Sequence, residues 1–222
     1  MIDAEHTLPL PVILVGGGGH AKVLASTLLL LHRKILGFVD PKPSLPPLLG
    51  IPHLGGDAAV FLHPPDRVRL VNAVGSTGST ALRRKIYEQF REKKYVFETV
   101  IHPAAIIAPE VQAEDGVQVM AGAVVQPGSH LGADVIINTG ARIDHDCTIG
   151  AHAHIAPGAT LSGQVEIGTG AHVGTGASII QGIVVGATSV VGAGAVVVHH
   201  VPAGVTVTGI PARPVIRPAK PK

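Results

Sequence analysis

The stretch INTGARIDHDCTIGAHAHIAPGATLSG, Ile137 to Gly163, places an aliphatic residue at every sixth position: Ile137, Ile143, Ile149, Ile155 and Leu161. Extended in both directions, the same register runs from Ile101 to Val197. Of its seventeen positions sixteen are Ile, Val or Leu, and Ala113 is the sole exception. The position four residues later is small or β-branched throughout, as at Ala123, Ala141, Cys147, Ala153 and Ala159. Glycine often follows the aliphatic residue, as at Gly132, Gly150, Gly168 and Gly174.

A period of six matches neither the 3.6 of a helix nor the alternation of a plain strand. It suits a short strand followed by a corner, with one large and one small side chain facing inward. Three such strands close a triangular coil. Stacked coils pair backbone to backbone, and their aliphatic residues form an interior ladder. The spacing therefore predicts a β-solenoid over residues 101–222, closed by a C-terminal tail. Composition agrees with a narrow, regular core. The chain is 46% hydrophobic but only 3% aromatic, with no Trp, and it holds 28 Gly and 18 Pro for frequent turns.

Residues 1–100 lack the repeat and read as a separate α/β domain. Val12–Val15 reads as a buried parallel strand, followed by Gly16-Gly17-Gly18-Gly19-His20 and a helix from about Ala21 to His32. A second strand over Ile35–Val39 ends at Asp40, and a third covers Val68 to Val74. Thr80 is placed to cap a helix reaching about Lys94. Alternating strands and helices imply a small Rossmann-like parallel sheet. Gly16, Gly18 and Ala21 fit a G-x-G-x-x-A turn with Asp40 about twenty residues on, which suits a phosphate at a helix N-terminus and an acid on ribose hydroxyls. The domain is half the length of a full dinucleotide fold, so a single nucleotide fits better.

A net charge of +2 argues against nucleic acid and membrane surfaces. One cysteine, Cys147, excludes an internal disulfide and reads as a core filler. No membrane-spanning run or signal peptide is visible, so a soluble cytoplasmic protein is expected. Acyl transfer needs a base near neutral pH, and the repeat region offers His130, His145, His152, His154 and His172. Composition does not choose among them. His154 and His172 stand eighteen residues apart and are expected to stack one coil above the other.

The GGGGHAKV turn at Gly16–Val23, GFVD at Gly37–Asp40, and IHPAA at Ile101–Ala105 leading into hexapeptide repeats resemble the NeuD/PglD-type sugar acyltransferases. The resemblance spans about Pro11 to Arg213. It implies a left-handed coil, a homotrimer with acetyl-CoA between adjacent prisms, and a nucleotide-sugar held by the N-terminal domain. It further implies nucleotide-sugar contacts at Gly18, Gly19, His20, Asp40 and Gly75, and a catalytic pair at His145 and Asp146. Asp144 is a second candidate to orient the ring, because strand neighbours face opposite ways unless the chain bends. By the same resemblance His154 contacts acetyl-CoA, and Gly163, Thr175, Ala193 and Gly194 lie against its pantetheine arm. Arg213, Arg217, Lys220 and Lys222 are available to the CoA phosphates. The implied activity is N-acetylation of a UDP- or GDP-linked amino sugar with a His base and no metal. O-acetylation of a sugar or sialic acid, a zinc hydratase on the same architecture, and a non-catalytic scaffold are the competing readings.

Overall fold

A computed structural model describes residues 9–42 and 44–215. The chain opens with β1 (Val12–Val15), α1 (Gly19–Leu30), β2 (Ile35–Val39), β3 (His53–Gly55), a 3-10 helix (Asp57–Leu62), β4 (Arg69–Asn72) and α2 (Ala81–Glu92). The four strands form one parallel sheet in the order β3-β2-β1-β4. β1 is buried throughout, as expected of a strand covered on both faces. Leu14 and Val71 pack toward α1, whereas Ile13 and Leu70 pack toward Phe90 of α2.

From β5 (Val100–Ile101) to β21 (Val196–Val197) there are seventeen strands of two residues each, and each ends on a position of the hexad register. They form three parallel sheets. The first face carries Gln118–Val119, Ile136–Ile137, His154–Ile155 and His172–Val173. The second carries Arg142–Ile143 and Thr160–Leu161, and the third His130–Leu131 and Thr148–Ile149. From β8 (Gln118–Val119) onward the second residue of each strand points inward and joins the small-residue series in one buried core. Cys147 lies wholly inside it as a free thiol.

The ladder is less complete than the sequence predicts. Ile101 is 40% exposed and Ala113 is exposed, because no coil lies beneath the first one to cover them. Val100 instead turns outward into the core under α1, beside Met120. That shared packing is one joint between the α/β layer and the solenoid.

Another joint is polar and buried. Arg83 of α2 places Nη2 2.6 Å from Asp134 Oδ1, and neither side chain is exposed. Arg83 Nη1 also donates to the carbonyls of Asn72 (2.8 Å) and Val74 (2.9 Å). Asp134 accepts in addition from Asn72 Nδ2 (3.0 Å) and from His152 Nδ1 (3.1 Å). Thr80 does precede α2, but its hydroxyl makes no helix cap. It reaches across to donate to the carbonyl of Gly170 at 2.8 Å.

From Gly116 to Gly194 each corner of the solenoid places one residue in the left-handed region. Glycine fills most of these positions, including Gly122, Gly128, Gly140 and Gly158, with φ between +65° and +74°. Asp134 (φ +59°), Asp146 (+58°), His152 (+60°), Gln164 (+59°) and Thr188 (+57°) take the place without being glycine. An L side chain there costs about 1–2 kcal/mol.

Candidate active site

β1 delivers the chain into the glycine-rich turn. Gly16 has φ +114°, and a Cβ there would lie 2.9 Å from Val74 Cγ2 and 3.1 Å from the Ala73 carbonyl carbon, so the chain leaving β4 gives room for nothing larger. Gly18 and Gly19 face open space, and α1 begins there with no side-chain cap. The first N–H groups of α1 are thus free to meet an anion. They open onto a cleft of 860 Å³ between the α/β layer and the solenoid. Gly18, Gly19, His20, Asp40 and Gly75 all line it, so the structure brings the five residues of the predicted nucleotide-sugar set together.

Asp40 does more for the loop than the sequence reading allowed. Its Oδ2 accepts from the Gly17 N–H at 2.9 Å and its Oδ1 from the Lys42 N–H at 3.0 Å. The carboxylate therefore ties the glycine turn to the end of β2 and retains only its remaining lone pairs for a ligand.

The solenoid side of the cleft is formed by Asn138, Thr139, His154 and Pro157. His154 and His172 do stack, with ring centroids 5.0 Å apart and nearly perpendicular. Asn138 Oδ1 accepts from the Thr139 N–H (2.8 Å), so its Nδ2 donates to His154 Nε2 (3.0 Å). His154 Nδ1 then carries the proton and donates to Ser76 Oγ (2.7 Å). Burial, with smaller contributions from His172, His20 and Arg83, pushes the His154 pKa down to about 2. The ring is a neutral, doubly bonded fixture. It stands with the nucleotide-sugar set and not with Gly163, Thr175, Ala193 and Gly194. Ser76 and Asn138 are not among the site residues that the sequence singles out. Asn138 lies inside the quoted repeat motif, but Ser76 gives no local signal.

His145 and Asp146 lie on the corner between the second and third faces. His145 Nδ1 is 2.8 Å from Asp146 Oδ2, while Asp144 Oδ1 accepts from the His145 backbone N–H at 2.8 Å. The left-handed φ of Asp146 supplies the bend that lets a sequence neighbour reach the ring, and Asp144 holds the main chain. The Asp146 hydrogen bond, joined by the charges of Asp144 and Asp146 and opposed by desolvation, raises the His145 pKa above its ordinary value. Two glycines bracket the pair. A Cβ at Gly128 would overlap Asp146 Oδ1, and one at Gly163 would overlap His145 Nε2. Thr175 and Gly194 sit on another corner, between the first and second faces, one coil apart and joined by Gly194 N–H to Thr175 O at 2.8 Å. Ala193 stands beside Gly194 and is exposed. Arg213 is exposed in the antiparallel pair of β22 (Thr206–Thr208) and β23 (Arg213–Pro214). Arg217, Lys220 and Lys222 lie outside the described residues.

Residues 11–90 match the PglD N-terminal domain, and residues 128–163 match the bacterial transferase hexapeptide (six repeats). The chain is 38% identical to a perosamine N-acetyltransferase from Caulobacter crescentus, covering 93% of this chain and 97% of that one with a TM-score of 0.88. The chain belongs to the PglD/NeuD-type sugar acetyltransferases. Members of this family join a small parallel-sheet domain to a left-handed parallel β-helix of hexapeptide repeats, and this chain has that architecture. The Caulobacter structure is a histidine-to-asparagine mutant in complex with CoA and GDP-perosamine. A second family member, the acetyltransferase domain of PglB from Neisseria gonorrhoeae in complex with acetyl coenzyme A, is also 38% identical, covering 92% of this chain and 98% of that one, with a TM-score of 0.87. A third, WeeI from Acinetobacter baumannii, is 25% identical, covering 93% and 100%, with a TM-score of 0.78. No curated protein matches the chain. Among the described residues no helix is long and apolar enough to cross a membrane.

Proposed function

We propose that the protein transfers the acetyl group of acetyl-CoA to the amino group of a GDP- or UDP-linked amino sugar, with His145 as general base. The observation that carries this reading is the His145–Asp146 pair. Asp146 accepts a hydrogen bond from the Nδ1–H and leaves Nε2 bare on an exposed corner, beside a glycine that keeps the approach open. The neutral amine attacks the thioester carbonyl, a C–N bond forms, and the C–S bond breaks. His145 Nε2 takes the proton that the nitrogen sheds and returns it to the CoA sulfur. The glycine-rich cleft suits the nucleotide diphosphate, with the N-terminus of α1 for phosphate and the His154 wall for the sugar. Gly163, Thr175, Ala193 and Gly194 suit the pantetheine arm, since small residues let it lie against the coils. His154 suits a contact with the acetyl group only if one of its two ring bonds is exchanged on binding.

The reading requires a second copy of the chain, and the homotrimer that the family resemblance implies supplies one. The cleft opens on the first face of the prism, whereas His145 stands on the corner between the other two faces. One chain cannot bring its own base to its own cleft, so the base comes from an adjacent copy. The same reading divides the chain into a nucleotide-sugar domain, residues 1–100, and an acyltransferase domain, residues 101–222, and places it in the cytoplasm with its acetyl-CoA.

The test is thiol release from acetyl-CoA against a panel of GDP- and UDP-linked amino sugars, with product masses and hydroxylamine treatment to separate amide from ester. His145→Ala is expected to lower kcat by about 10²–10⁴ without altering the circular dichroism spectrum. Absence of thiol release with every amino sugar, or near-normal turnover by His145→Ala, would remove the proposal. Sedimentation of the native protein is expected to give a trimer.

A further inference from the structure

The cleft contains a histidine whose ring is oriented from 98 residues away. Gln118 lies on the first face of the solenoid, wholly buried. Its Nε2 donates to the carbonyl of Asn72, the last residue of β4, at 2.8 Å. A carbonyl oxygen only accepts, so this bond fixes which end of the amide faces which way. Gln118 Oε1 is left 2.8 Å from His20 Nε2. An amide oxygen also only accepts, so His20 Nε2 must carry the proton. A neutral imidazole has one N–H, and Nδ1 is therefore bare. It has no hydrogen-bond partner among the described residues. Burial keeps the ring neutral, pushing its pKa down to about 4, so the tautomer persists at neutral pH.

A bare nitrogen repels phosphate oxygens, which are acceptors themselves. The phosphates have the free N–H groups at Gly18 and Gly19. His20 leans toward the solenoid instead, against Gln118, and His154 stands two coils further along the same column of residues. Gly75 closes the other side, since a Cβ there would lie 3.1 Å from His20 Cβ.

We propose that Gln118 is a positioning residue that holds His20 as an acceptor-only contact for an O–H or N–H of the sugar carried by the nucleotide. The inference rests on the nucleotide-sugar reading of the cleft. Gln118 itself never touches the ligand. It selects which hydrogen-bonding partner His20 is able to accept, and thus favours a sugar that offers a donor on that side.

Two measurements test it. In ligand-free protein with ¹⁵N-labelled histidine, His20 is expected to show a protonated Nε2 and an unprotonated Nδ1, and Gln118→Met is expected to shift the ring to a mixture of tautomers. A proton on Nδ1 in the wild type overturns the proposal without any variant. In binding assays the probes are GDP-perosamine with GDP, and a UDP-linked amino sugar with UDP. Gln118→Met is expected to weaken the preferred nucleotide-sugar about tenfold and the free nucleotide less than twofold. Equal loss for both marks Gln118 as a packing residue only and overturns the proposal. Failure of the wild type to bind any of the four overturns the nucleotide-sugar reading and the sugar contact with it, while the tautomer measurement still decides whether Gln118 orients the ring.

Discussion

Gly163 lies one coil above His145, and a β-carbon on it would occupy the space of the imidazole Nε2. Its φ lies outside the left-handed region, so the backbone accepts any L residue and the glycine is there for the ring. Gly163→Ala is therefore expected to fold normally and to displace the base. Misplacement near 1 Å costs about 10²-fold in rate. The expected result is a kcat at least tenfold lower with a melting temperature within a few degrees of wild type. An unchanged kcat would mean that the ring has room to move without consequence.

The raised pKa of His145 sets the sign of the pH profile. A general base works only when neutral, so kcat should rise with pH through a value above the ordinary 6.5 of histidine and then level off. Asp146 is the largest cause of that shift. Asp146→Asn should move the acid limb to lower pH while lowering the plateau, since the ring loses its orienting carboxylate. A profile whose acid limb stays in place would remove Asp146 from this role.

His154 should make the protein acid-labile. Its folded pKa is depressed from 6.5 to about 2, so between these values the unfolded chain binds a proton that the folded chain refuses. Stability is fully present above pH 6.5 and falls as pH drops below it, by about 1.4 kcal/mol per pH unit for one such group. Urea titrations at pH 7, 6 and 5 should show this slope, and His154→Gln should flatten it. An unchanged slope in the variant would assign the acid sensitivity elsewhere.

Arg83 and Asp134 bind the α/β layer to the solenoid through a pair with no solvent contact. Removing one partner strands a buried charge, which costs about 3–5 kcal/mol. Asp134→Ala is expected to lose stability on that scale. The double variant Arg83→Met, Asp134→Ala should lose less than the single one, because no charge is left unpaired. A double variant as unstable as the sum of its parts would contradict the pairing.

Asp134 and His152 show what was legible and overlooked. Both occupy left-handed corner positions where the repeat otherwise places glycine. A non-glycine residue in that register accepts a conformational cost, and at three of the five such corners the side chain makes a polar contact that uses the position: Asp146 holds the His145 ring, and Asp134 and His152 form the buried network. The register of seventeen aliphatic positions was enough to number those corners. Ser76 and Gln118 were not legible, because neither belongs to a recognisable pattern and their partners lie 78 and 46 residues away or more.

Family resemblance singled out His145 with Asp146 or Asp144; the periodicity by itself determined the solenoid, its phase and the parallel α/β layer before it. Those features follow from local periodicity and from residues adjacent in the chain, where backbone geometry leaves little freedom. Only the tertiary structure decided that His154 faces the glycine-rich cleft, that Asp146 rather than Asp144 reaches the ring, that the first coil is left uncovered, and that His145 and the cleft stand on opposite sides of one prism. Each of these depends on how the two layers dock and on which way a side chain leaves a corner, and contacts between residues far apart in sequence carry no period to read.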